Sequence, residues 1–200
     1  MARLVAALIA LVACAGLAIQ FQATLANGYS VGETLWILLR FFTIITNIGV
    51  AATMTLLALG KRLSPSWLGG MTLAILLVGV VYMTLLRGLL ELSGGALLAA
   101  TLLHKATPAL VAFWWLAFAS KGGLKWRDPV LWAMYPVAYL PYALTRGAAE
   151  GIYAYPFINV ADLGWGGVLT TCAVIALAFV IAGLGLVALD RKLGVARAAD

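Results

Sequence analysis

The sequence predicts an all-α polytopic membrane protein, a six-transmembrane-helix bundle with both termini on the cytoplasmic side. Three observations carry that expectation. Hydrophobic residues make up 64% of the 200, charged residues only 10%, and mean hydropathy is +1.06, far more apolar than an ordinary soluble domain. The apolar residues fall into runs close to the roughly 20 residues that a helix needs to cross a bilayer. The basic residues, finally, gather in every second connection between these runs, and so on one side of them.

Taken in order, the runs lie at about 4–26, 34–59, 67–90, 96–119, 130–147 and 164–189. The first has the look of a secretory leader, and Leu11-Val12-Ala13-Cys14 resembles a lipoprotein cleavage box. The run continues through Leu17 and Ile19, however, so a retained helix is expected. Asn27-Gly28-Tyr29-Ser30 separates the first run from the second, and Lys61-Arg62-Leu63-Ser64-Pro65 the second from the third. Ser93-Gly94-Gly95 and Lys121-Gly122-Gly123 end the third and fourth. Such Gly, Pro, Ser and Asn clusters stop helices and turn the chain. The longest connection, 147–166, carries Tyr153, Tyr155, Phe157 and Trp165, which suit the headgroup level. No internal repeat is visible, and residues 1–200 read as a single transmembrane domain.

Net charge is +6 and the isoelectric point is near 9.6, yet the cations do not gather on one polar face as a nucleic-acid surface requires. Membrane topology accounts for them instead. With a cytoplasmic N-terminus, that side collects Arg3, Lys61, Arg62, Lys121, Lys125, Arg127, Arg191, Lys192 and Arg197, nine of the 13 basic residues. Glu33, Glu91, Glu150 and Asp162 fall on or near the opposite side. Cys14 and Cys172 lie in apolar runs and read as small buried hydrophobes rather than as a disulfide or metal pair.

The other four cations, Arg40, Arg87, Lys105 and Arg146, lie within or at the outer ends of helices, as does His104, the only histidine. An ionisable side chain in lipid is costly unless it meets a partner or cavity, which makes it a functional-site candidate. Arg40, Thr43 and Asn47 recur at intervals of three and four, with Thr46 beside Asn47; Thr101, His104, Lys105 and Pro108 follow a similar rhythm. Both helices run inward, and at about 1.5 Å per residue Thr43 and His104 sit roughly 13 and 12 Å from the same boundary. The two stripes are therefore expected to face each other, with Arg87, Arg146 and Glu150 completing a polar outer cavity. A lone membrane threonine is ordinarily structural, a histidine can be a packing bridge, and an arginine can snorkel. The weight rests on the constellation.

Phe41-Phe42-Thr43-Ile44-Ile45-Thr46-Asn47, then His104-Lys105-Ala106-Thr107-Pro108, then Tyr155-Pro156-Phe157 resemble, in that order, the androgen-induced protein family. This family includes the androgen-dependent regulator of tissue-factor-pathway inhibitor and many bacterial membrane proteins. Its characterised animal members are multi-pass threonine hydrolases that cleave fatty acid esters of hydroxy fatty acids with an intramembrane Thr and His. The resemblance implies that Thr43 takes the place of that Thr and His104 of that His. Thr46-Asn47 and Lys105 depart from the animal pattern, so the substrate does not carry over with the fold.

Threonine attacks well only once a base takes its proton, and neutral imidazole is matched to that task near neutral pH. The expected chemistry is attack by Thr43 on a lipid ester carbonyl, proton transfer to His104, and hydrolysis of the resulting acyl-threonine. Asn47, Arg40 or Lys105 are candidate oxyanion donors, and Arg87 or Arg146 candidate partners for a substrate carboxylate. An ester partway along an acyl chain suits a site on the order of 12 Å deep. The expected partner is a fatty-acyl ester within the bilayer, not nucleic acid, and the expected location in a bacterium is the inner membrane. No cofactor or metal is expected, since one histidine rules out a bis-His haem or a His-rich metal site. The rival reading is a small lipid or organic-anion transporter whose cavity is lined by Arg40, Arg87 and Lys105. That reading predicts flux without turnover.

Overall fold

The computed structural model describes residues 1–89 and 91–199, with side chains through Val195. Leu90, at the end of the third expected run, and the Arg197 side chain lie outside the described residues. Every regular element among the described residues is helical. Four helices are long and apolar enough to cross a membrane: Ala2–Leu25, Pro65–Leu86, Gly94–Phe118 and Val160–Val195. The number reaches five if Val31–Leu39 and Phe42–Ala58, which meet at 96°, make one span.

Six continuous spans were expected, and two of them differ. The run at 34–59 is broken into two helices, and 130–147 belongs to a longer helix, Asp128–Glu150. Two internal prolines, Pro136 and Pro141, three tyrosines, Arg146 and Glu150 leave that helix less apolar than the four spans. The chain also divides into two compact units, Met1–Ser120 and Lys121–Asp200, where the sequence reads as one domain.

In the first unit, α1 (Ala2–Leu25) packs against α3 (Phe42–Ala58), α5 (Gly94–Thr101) and α6 (Thr107–Phe118). The cause is a face of small residues: Ala6, Ala10, Ala13 and Gly16, spaced by three or four, are all buried. Small residues let helix backbones approach closely in an apolar solvent. At Gly16 the approach is closest, because an added Cβ would lie 2.7 Å from Leu103 Cδ2. Cys14, expected to be buried, is exposed beside the inward face of this helix, which is taken by those small residues. Cys172 is half-buried.

Ser30 and Glu33 open α2 (Val31–Leu39) with a reciprocal capping box, in which the Ser30 N–H donates to Glu33 Oε2 at 2.8 Å. α4 (Pro65–Val81) starts on the Ser64 hydroxyl, with Pro65 in the first helical position. It packs on α3 and α6 and ends in a wide π-type turn, Tyr82–Leu86. A second such turn, Leu102–Ala106, joins α5 to α6.

The second unit pairs α7 (Asp128–Glu150) with α8 (Val160–Ala199), which is kinked at Gly164. The connection expected at 147–166 is shorter, because α7 runs on to Glu150 and stops at Gly151 in a left-handed conformation, φ 70°. What remains is 151–159, with Tyr155 and Phe157 stacked at 5.1 Å. Asp190, buried on α8, receives the Leu124 N–H at 2.9 Å, while its carbonyl receives the Gly122 N–H at 3.2 Å. The loop 121–127 is thereby fastened to the end of α8.

Candidate active site

The corner between α2 and α3 is made in two residues. Arg40 keeps helical dihedrals while Phe41 turns extended, φ −91° and ψ 129°, and becomes the N-cap of α3. The polar main chain at this break is satisfied locally: the Phe41 N–H donates to Leu38 O, and Phe41 O accepts from the N–H groups of Ile44 and Ile45. Leu38, Phe41 and Ile44 pack with Leu103, Leu17 and Phe21, so an apolar cluster holds the corner shut. Thr43 consequently occupies the first turn of α3 and is 6% exposed. That turn is the positive end of the helix dipole.

His104 lies within the Leu102–Ala106 turn. Four residues later, Pro108 has no N–H to offer the His104 carbonyl and its ring crowds that turn, which is why the helix widens there. Gly79 of α4 makes room for the irregularity: a Cβ at that position would lie 3.2 Å from His104 O and from Pro108 Cβ.

Thr43 Oγ1 and His104 Nε2 are 3.3 Å apart, at the long end of hydrogen-bonding range, as catalytic pairs without substrate often are. On the far side of the ring, Nδ1 lies 3.0 Å from Ala100 O. A carbonyl only accepts, so Nδ1 carries a proton, and in the neutral ring Nε2 presents a lone pair. The Thr43 hydroxyl is then the donor to Nε2. Ala100 O thus stands where a carboxylate orients the base in a Ser-His-Asp triad.

Asn47, fully buried, binds the two helices together. Its Nδ2 donates to Thr43 O at 2.8 Å and to Leu103 O at 3.3 Å. Both amide protons of Asn47 are thus taken by main-chain carbonyls, rather than left for the oxyanion that the stripe pattern assigned to it. Arg40 is buried but lies on the α2 side of the corner, so it does not share a helical face with Thr43 and Asn47. The bend also removes the straight rise from which the depth of Thr43 was reckoned; Thr43 meets His104 because the corner and the wide turn converge.

Lys105 and Arg87 are exposed, rather than set within a buried polar cavity. The Lys105 ammonium lies 5.9 Å from the centre of the Tyr82 ring, and Arg87 caps the other wide turn through its N–H to Tyr82 O at 2.8 Å. Arg146 belongs to the second unit. There its guanidinium is held by Glu150 at 2.7 Å and by the Tyr142 hydroxyl at 2.9 Å, so its charge is already matched.

Two residues escaped the sequence reading. Tyr82 stacks on the His104 ring with centroids 4.3 Å apart and planes at 22°, and Gly79 admits the His104 turn. Tyr82 had a usable signal: counted back from the end of the run at 90, it lies about 12 Å in, the same depth reckoned for His104. Gly79 had none.

A scan against protein-family models, a search of curated proteins and a search of solved structures each found no match for this chain.

Proposed function

We propose that the chain is a multi-pass intramembrane hydrolase of carboxylic esters, working as a threonine hydrolase in the manner of the androgen-induced protein family. The observation that carries this reading is the Thr43 hydroxyl 3.3 Å from Nε2 of a ring whose other nitrogen lies 3.0 Å from Ala100 O.

Thr43 Oγ1 attacks the ester carbonyl as its proton passes to His104 Nε2, and the oxyanion develops at the positive first turn of α3, near the buried Arg40. The protonated imidazole gives its proton to the leaving alkoxide, which departs as an alcohol. Water, deprotonated by the same nitrogen, then attacks the acyl-threonine and releases the fatty acid and free Thr43. His104 is ten residues from the start of α5, about 15 Å along the helix. That depth favours an ester partway along an acyl chain, such as a fatty acid ester of a hydroxy fatty acid, over a headgroup-level ester. The inner membrane of a bacterium, with both termini cytoplasmic, fits the basic-residue asymmetry.

The test is hydrolysis of a mid-chain fatty-acyl ester by purified protein in detergent. Thr43→Ala removes turnover and labelling by a fluorophosphonate probe, and His104→Ala lowers turnover by about 10²–10⁴-fold. Unchanged activity in either variant removes that residue from the mechanism. Equal turnover of simple terminal esters counts against the depth argument, and flux of a lipid anion without turnover favours a transporter.

A further inference from the structure

The stack of Tyr82 on His104 is face to face, at 4.3 Å and 22°, and both rings are half-buried. Each ring also stands on a wide turn, Tyr82 on the first residue of one and His104 in the middle of the other. Wide turns add a residue to a helix and re-aim its side chains, and they gather at functional sites. Here the re-aiming brings two rings from different helices into register. The Lys105 ammonium, next in sequence to His104, lies over the same tyrosine ring at 5.9 Å, so Tyr82 is contacted by two consecutive residues of the His104 turn.

An imidazole hydrogen-bonded at each nitrogen can still tip about the line joining its two partners. Ala100 O and Thr43 Oγ1 define that line, and hydrogen bonds at 3.0 and 3.3 Å do not by themselves limit the tilt of the ring plane closely. A flat aromatic face against the ring does. We propose that Tyr82 is a positioning residue for the base: its ring face fixes the plane of the His104 imidazole, so that the Nε2 lone pair stays directed at the Thr43 hydroxyl. The proposal rests on the reading of Thr43 and His104 as nucleophile and base. It assigns the ring face of Tyr82, and not its hydroxyl, to that task.

Because the chain has a single histidine, ¹⁵N-histidine labelling reports on His104 alone. In the wild type at neutral pH, the two ring nitrogens give separate protonated and unprotonated signals, with Nδ1 the protonated one. Tyr82→Phe and Tyr82→Trp, which keep an aromatic face, retain that pattern and stay within about threefold of the wild-type kcat. Tyr82→Leu averages the two signals and lowers kcat by roughly 10–100-fold at nearly unchanged KM, as loss of orientation without loss of binding requires. Thermal unfolding of each variant in detergent separates this from misfolding, and Tyr82→Met supplies a second aliphatic variant should Tyr82→Leu fail to fold. A wild-type ¹⁵N pattern in a folded aliphatic variant overturns the proposal, as does a Tyr82→Phe loss equal to that of Tyr82→Leu. If the wild type hydrolyses no ester while its ¹⁵N pattern depends on the Tyr82 ring, the hydrolase reading fails and the positioning role stands.

Discussion

The Asn47 amide reaches from the carbonyl of Thr43 to the carbonyl of Leu103, so one buried side chain ties Thr43 to the turn that carries His104. Replacing it with Ala removes two hydrogen bonds and leaves a void at a fully buried position, at a combined cost of about 2–4 kcal/mol. Hydrolysis measured well below the melting temperature falls as well, because the turn that carries His104 loses its tether to α3. Asn47→Asp is expected to be worse than Asn47→Ala, since a carboxylate there faces two carbonyls with no proton to give. Thermal unfolding and ester turnover on the same preparations check both statements.

Pro108 presents a case in which stability and activity move in opposite directions. Pro108→Ala returns an N–H that can pair with the His104 carbonyl and relieves the ring's crowding of the preceding turn. The expected outcome is a raised melting temperature together with a loss of turnover, as the wide turn relaxes towards α-helix and carries Nε2 away from Thr43. A variant that gains stability and keeps full activity would show that the wide turn has another cause.

Gly16 meets Leu103 at the point where α1 crosses the His104 turn. Leu103 is only 1% exposed and has little room to retreat, so Gly16→Ala is expected to destabilise by about 1–3 kcal/mol through overpacking, and Gly16→Val by more. At Gly79 a methyl group meets a carbonyl and a proline ring at 3.2 Å, and Gly79→Leu should disturb turnover more than Gly79→Ala does. Melting curves and hydrolysis rates across the four variants provide the comparison.

Asp190 offers a control in the second unit of the chain, to which neither Thr43 nor His104 belongs. Asp190→Ala strands the buried Leu124 N–H at a cost of about 1–3 kcal/mol, whereas Asp190→Asn keeps an acceptor oxygen and loses less. Trypsin should then cut faster at Lys121, Lys125 and Arg127 in the alanine variant, with ester turnover unchanged below the melting temperature. A large activity loss in folded protein would tie this loop to the site.

Much of the helical layout was legible because its boundaries are chemical. Asn27-Gly28, Ser64-Pro65 and Gly94 stop or start helices by backbone physics that needs no tertiary partner. Thr43 and His104 stood out because a hydroxyl and an imidazole in apolar runs demand an explanation. The corner at Arg40 and Phe41 was invisible for the opposite reason: no Gly or Pro marks it, and Leu38, Phe41 and Ile44 hold it only through packing on Leu103 and α1. An unbroken 3.6-residue period places Arg40 on one face with Thr43 and leaves Asn47 free to donate to substrate, but the helix breaks between Arg40 and Thr43 and the Asn47 amide is taken by two carbonyls. Pro108 announces a disturbance in its own turn, but nothing in Tyr82-Met83-Thr84-Leu85-Leu86 announces the other wide turn, or the Tyr82 stack that comes with it.

The extra residue in the Leu102–Ala106 turn bears on how related chains should be compared. Deleting one position between Thr101 and His104 leaves every motif letter and the hydropathy profile nearly intact, yet swings the imidazole by about 100° around the α5 axis. Homologues that differ by such an indel would align well and still lack the Thr43–His104 pairing. Spacing between Gly79 and Tyr82, and between Ala100 and Pro108, is therefore the character by which to sort chains that can keep this pairing from those that cannot.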